Sequence, residues 1–207
     1  MKKVFFAILI IFGLITAGFS GTTWCQEPKN ILSIEAYDML NTIPNTYLID
    51  VRTRAEYQFI GHPPMAYLFP YCFFNNRLMK NEEGVAYQFN AINRSFIEEI
   101  SKVFQEENNL IVICRDGTRS IDAAAKLMEN GFKHVYNVKN GFEGPQFPFF
   151  EDENRLKFYR QLAKRNNLHA YKHRHYYGWQ WWGLPWTYDI DIKYVYPPDK
   201  APKKEKK

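Results

Sequence analysis

Hydrophobic and polar positions alternate in short blocks along most of this chain. Tyr47-Leu48-Ile49 is a compact apolar strand that ends in Asp50-Val51-Arg52. A brief helix over Arg54–Phe59 follows, stopped by Gly61-His62-Pro63-Pro64, and Ala66-Tyr67-Leu68-Phe69 reads as the next strand. Before them, Ser33 caps a short helix running through Asp38-Met39-Leu40. Residues 72–92 read as an excursion, because Asn75, Asn76, Asn81, Gly84 and Asn90 break any long period. A longer helix is predicted from Ser95 to about Gln105, with Phe96, Ile97, Ile100, Val103 and Phe104 toward one side.

The run Leu110-Ile111-Val112-Ile113 is a further strand, and the spacing predicts a helix from Arg119 to Glu129 that stops at Asn130-Gly131. His134–Val138 is the next strand, and Asn140-Gly141 the turn after it. Strands with near-continuous apolar character alternating with helices predict an α/β fold: a parallel sheet with helices on both faces.

Between the Leu110–Ile113 strand and its helix lies Cys114-Arg115-Asp116-Gly117-Thr118-Arg119-Ser120. A strand that delivers a thiol into a tight turn of amides at a helix N-terminus gathers partial positive charge around the sulfur and favours the thiolate. Arg115 and Arg119 add full charges, so the loop suits an anionic substrate. An ordinary buried cysteine closing a strand before a glycine turn is the structural alternative.

Composition narrows the class. The 207 residues, 46% hydrophobic and 24% charged, suit one domain with a proper core rather than a disordered chain or a multi-span membrane protein. Lys2 and Lys3, the apolar stretch Val4–Thr16, and the small residues Ala17, Gly18 and Ser20 have the layout of a cleaved secretory signal over 1–20, with the mature chain starting near Gly21. An uncut anchor is the alternative, though the stretch falls short of the roughly 20 apolar residues that span a bilayer. Trp24 stands where a lipoprotein site wants a small residue, which argues against lipidation of Cys25. Export would place the protein in the periplasm or another extracytoplasmic space. Among three cysteines, Cys114 has the electrostatic reason to remain a thiolate, leaving Cys25 and Cys72 as a disulfide or as two inert thiols.

Loss of Lys2 and Lys3 takes the formal charge from +5 to +3, and five lysines lie in the last eight residues. The folded body is therefore near neutral, the Pro- and Lys-rich end reads as a solvated tail, and nucleic-acid binding is not expected. No cofactor is implied. His173 and His175 would face opposite ways in an extended segment, so no metal site is expected.

Leu48-Ile49-Asp50-Val51-Arg52 with Glu56-Tyr57 and Gly61-His62-Pro63, the Cys114–Ser120 loop, Gly131-Phe132, Val135-Tyr136-Asn137-Val138 and Gly141-Phe142 together resemble a single-domain rhodanese. The resemblance covers roughly residues 30–144, and Gly183-Leu184-Pro185 is similar to that domain's usual ending. It implies a sulfurtransferase in which Cys114 takes a sulfane sulfur from an anionic donor such as thiosulfate or polysulfide. The sulfur would be held as a persulfide and passed to a thiol or cyanide. Residues 115–120, that is Arg115, Asp116, Gly117, Thr118, Arg119 and Ser120, would form the binding loop, with Asp116 opposing an anion unless it faces outward onto an arginine. Asp50, Arg52 and Glu56 read as structural support tying strand to helix, and His62 as part of a turn.

On this reading the domain spans 28–187 with an insertion at 145–177, and 188–207 is an aromatic-rich arm with a basic tail. The insertion is expected to be an extra surface helix over Asn154–Lys164 with an aromatic foot at Phe147, Phe149 and Phe150, or else a partner-binding flap. Four of the five tryptophans fall between Trp179 and Trp186. They would suit a second reading, in which the domain carries sulfur or binds an oxyanion for an envelope partner without turnover. A cysteine phosphatase or arsenate reductase would need one more residue between Cys114 and Arg119 to enclose a tetrahedral oxyanion.

Overall fold

The computed structural model describes residues 27–81, 84–174 and 176–196. The expected signal segment, Cys25, His175 and the basic tail lie outside the described residues. Five parallel strands form the central sheet: β1 (Lys29–Ile31), β2 (Thr46–Asp50), β3 (Tyr67–Leu68), β6 (Asn109–Ile113) and β7 (His134–Val138), in the order β1-β7-β6-β2-β3. Parallel strands need crossover helices, and these cover both faces. On one face α1 (Ser33–Thr42) and α2 (Arg54–Phe59) pack through Ala36 and Tyr57 against Leu48, Ile111 and Ile113. On the other, α3 (Phe96–Ser101) and α4 (Thr118–Glu129) pack through Phe96, Ile100, Ala123, Ala124 and Leu127 against Ile49, Leu110 and Val112.

Three local expectations are corrected. Ser33 is not the cap of α1: Leu32 occupies that position, and the Glu35 carboxylate accepts from its N–H at 2.6 Å. Ser33 is instead buried, donating its N–H to Asn140 Oδ1 and accepting from Asn140 Nδ2, both at 2.9 Å. The α3 helix ends at Ser101 rather than Gln105, because Phe104 must turn inward to meet Tyr47 and Tyr67, each with ring centroids 5.0 Å away. The 72–92 excursion is an antiparallel ribbon of β4 (Cys72–Asn81) and β5 (Gly84–Ile92). Asparagine is poor in strands, but here Asn75 donates to Asn90 and Asn90 to Gln88 across and along the ribbon, satisfying amides that would otherwise favour turns.

The insertion carries α5 (Glu153–Arg165), whose Asp152 side chain accepts from the Arg155 N–H at 2.7 Å. Its ends meet where Gly144 and Gly178 pack backbone to backbone, a contact that any Cβ would block. After Pro185 the chain runs back along the β3 edge. His62 and Thr187 bridge there, Val195 bridges Leu68 and is buried, and the Tyr196 ring stacks on Phe69 at 4.6 Å.

Candidate functional site

Cys114 follows β6 at the carboxyl end of the sheet, where a parallel α/β fold presents its ligand sites. The loop after β7 braces it: Phe142 N–H donates to the Cys114 carbonyl at 2.8 Å, and Glu143 N–H donates to the Arg115 carbonyl at 2.9 Å. The turn requires glycine at two points. Gly117 has φ +93° and lies so close to the Lys139 carbonyl that a Cβ would collide with it. Gly141, at φ +60°, would place a Cβ 2.5 Å from the Arg115 carbonyl carbon.

Two donors reach the sulfur. Gly117 N–H lies 3.2 Å and the Ser120 hydroxyl 3.3 Å from Cys114 Sγ. Gly117 is the N-cap of α4, so the positive end of that helix also faces the thiol. Cys114 has no exposed surface.

The arginines are committed. Arg119 makes a bidentate pair with Glu56, Nη1 to Oε2 at 2.9 Å and Nη2 to Oε1 at 2.5 Å. Burial alone would lower Arg119, but the Glu56 carboxylate outweighs it and raises the guanidinium above its ordinary value. Glu56 also accepts from Thr53 N–H at 3.0 Å, closing the capping box of α2. Arg52 and Asp50, both fully buried, pair at 2.6 Å, and Arg52 donates to the Gly61 carbonyl at 2.8 Å while lying 4.2 Å over the Phe142 ring. Asp50 and Arg52 thus tie β2 to the segment after α2, whereas Glu56 links α2 to α4.

Asp116 is held by three side chains. Its Oδ1 accepts from the Thr118 hydroxyl at 2.7 Å, and its Oδ2 lies 3.0 Å from Arg174 Nη1 and 3.5 Å from Arg115 Nη2. Desolvation would raise Asp116, but these three partners outweigh it and hold the carboxyl below its ordinary range. Arg174 belongs to the insertion, and a lone arginine in a Lys-His-Arg-His run carries no signal that it would reach a loop 58 residues away. Cys72 is a free, buried thiol within the field of Arg119 and Cys114. Burial pushes it up, and the Arg119 charge opposes this in part. His62 is buried and stacked on Tyr57 at 3.5 Å, and desolvation lowers it, consistent with a place in the turn rather than as a base. Among the described residues no group of His, Cys, Asp and Glu is arranged to hold a metal, and no helix is long and apolar enough to cross a membrane.

A thiol at the end of a parallel strand, capped by a glycine turn whose amide and serine hydroxyl meet the sulfur, defines a cysteine-centred α/β domain. The chain belongs to the rhodanese-like domain family, whose family model matches residues 33–146. It is similar to an uncharacterized protein of Rickettsia conorii, 33% identical over 56% of this chain and 85% of that one. It is also similar to rhodanese-like domain-containing protein 17 of Arabidopsis thaliana, 28% identical over 66% and 83%. Among solved structures, Rv0390 from M. tuberculosis matches with a TM-score of 0.55 and 26% identity, covering 79% of this chain and all of that one.

Proposed function

We propose that the protein is a sulfurtransferase in which Cys114 carries the sulfur. The Cys114 thiolate attacks the outer sulfur of an anionic donor such as thiosulfate or polysulfide. The S–S bond breaks, its electron pair leaves with sulfite or the shortened polysulfide, and a persulfide remains on Cys114. A thiol or cyanide then attacks the terminal sulfur and Cys114 leaves as thiolate. The observation that carries this reading is the convergence of Gly117 N–H and the Ser120 hydroxyl on Cys114 Sγ, donors that favour the thiolate as nucleophile and as leaving group. Incubation with thiosulfate, polysulfide or mercaptopyruvate, one at a time, followed by mass spectrometry, should show one added sulfur at Cys114 that is absent from Cys114→Ser. A Cys114→Ser protein that still transfers sulfur would exclude the mechanism.

One observation favours a second reading, delivery to a protein partner in the envelope. Trp181, Trp182, Trp186 and Tyr188 are 55%, 42%, 39% and 54% exposed. Trp181 packs on Tyr176 and Trp182 on Tyr177, beside the insertion that reaches Asp116. A protein that forms the persulfide but does not release it to cyanide or small thiols would favour the carrier. We place either activity outside the cytoplasm on the strength of residues 1–20; a mature N-terminus near Gly21 on protein from the cell envelope would support this.

A further inference from the structure

An anionic donor needs positive charge at the mouth, and the pairings above remove most of what the cysteine loop provides. Arg119 is matched by Glu56 and Arg115 is opposed by Asp116, so the loop with its partner carboxylate is balanced. Nearby, Arg52 is matched by Asp50 and also feels the field of buried Glu143, while Lys139 pairs with Glu151 at 3.0 Å. Arg174 is the additional cation on Asp116. Its Nη1 bridges Asp116 Oδ2 and the Gly144 carbonyl, each at 3.0 Å, and the Gly144–Gly178 contact that closes the insertion fixes where it arrives.

We propose that Arg174 sets the charge selectivity of the cysteine loop, because it brings the cations named here level with the five carboxylates Glu56, Asp116, Asp50, Glu151 and Glu143, and without it the loop would carry a net negative charge. Arg174 is a positioning residue that acts through Asp116 and frees Arg115 for the incoming anion. Arg115 suits that part: its side chain is 34% exposed, and its Nε is buried without a hydrogen-bond partner. The identity of the donor rests on the sulfur-transfer reading; the preference for an anion does not.

The test uses two alkylating reagents of similar size, iodoacetate (anionic) and iodoacetamide (neutral). With each, the thiol sulfur forms a C–S bond and iodide leaves. Labelling rates are read at Cys114 by peptide mass spectrometry, which separates it from Cys25 and Cys72. Arg174→Met should lower the iodoacetate-to-iodoacetamide ratio about tenfold, the size of one charge-assisted contact, and Arg174→Lys should retain most of it. Asp116→Asn, which keeps an acceptor for Thr118, should raise the ratio, and in the double variant it should restore the Arg174→Met ratio toward wild type. Equal slowing of both reagents, or no recovery in the double variant, would assign Arg174 a purely structural role and overturn the proposal. If Arg174→Met does not fold, Asp116→Asn decides alone, and an unchanged ratio overturns it. Absence of persulfide from every donor with the ratios moving as expected would remove sulfur transfer and leave Arg174 standing. Persulfide formation with unmoved ratios and an unchanged KM for thiosulfate in Arg174→Met would do the reverse.

Discussion

Glu56 and Arg119, 63 residues apart, face one another in a two-pronged pair that joins the start of α2 to the first turn of α4 beneath the cysteine loop. Their side chains are 8% and 15% exposed, so water screens the pair weakly. Arg119 therefore holds the loop in place, and its charge is answered before any anion arrives.

Removing one partner should leave the other buried and uncompensated. Arg119→Met or Glu56→Gln should destabilise the protein by about 3 kcal/mol, with less than additive loss in the double variant, measured by denaturant unfolding. Desolvation would raise Glu56, yet the Arg119 hydrogen bonds outweigh it and keep the carboxyl below its ordinary value of 4.5. A carboxyl lowered in the folded state contributes stability above its unfolded value and loses it as pH falls through the folded one. The gap between wild type and Arg119→Met should therefore shrink as pH drops from about 5 to about 3.

Gly117→Ala combines a left-handed backbone with a collision against the Lys139 carbonyl. The backbone term alone costs about 1–2 kcal/mol, and the backbone contact cannot yield as a side chain would. A fall in melting temperature together with loss of Cys114 labelling is expected; a variant that melts and labels as wild type would contradict the loop geometry.

Ser120→Ala deletes one of two donors to the sulfur at a fully buried position, with little change in volume. The rate of persulfide formation should fall by about fivefold to tenfold, corresponding to roughly 1 kcal/mol for a hydrogen bond, while thermal stability changes little. Stopped-flow sulfite release from thiosulfate would measure it.

The arm beyond Pro185 contributes to the core. Val195 is buried, and Tyr196 stacks on Phe69 over the β3 edge. Truncation before Asp189 should uncover Tyr67 and Phe69 and destabilise the domain by about 2–4 kcal/mol on burial grounds, without changing the distances around Cys114. Thermal unfolding of the truncated chain beside its Cys114 labelling rate would separate the two effects.

Local pattern was enough for the parts whose causes are local. The apolar strands read at 47–49 and 110–113, the α2 helix over Arg54–Phe59, and the α4 helix ending at Asn130-Gly131 all follow from residues within a few positions of one another. The β4–β5 ribbon was hidden because its asparagines signal turns until cross-strand amide bonds satisfy them. β1 escaped notice because three residues carry no period, and it is a strand only because β7 pairs with it.

The sequence by itself determined that a thiol would stand at the end of a parallel strand in a glycine-hinged loop, since strand, turn and helix signals lie side by side from Leu110 to Glu129. Which charges surround that thiol was decided by tertiary structure. Arg119 looks free in the sequence and is matched by Glu56, and Asp116 looks adverse and is covered by Arg174 from the insertion. Electrostatic pairing acts over a few ångströms of space, and the chain places residues 58 and 63 positions apart within hydrogen-bond distance only after the sheet, α4 and the closed insertion have packed.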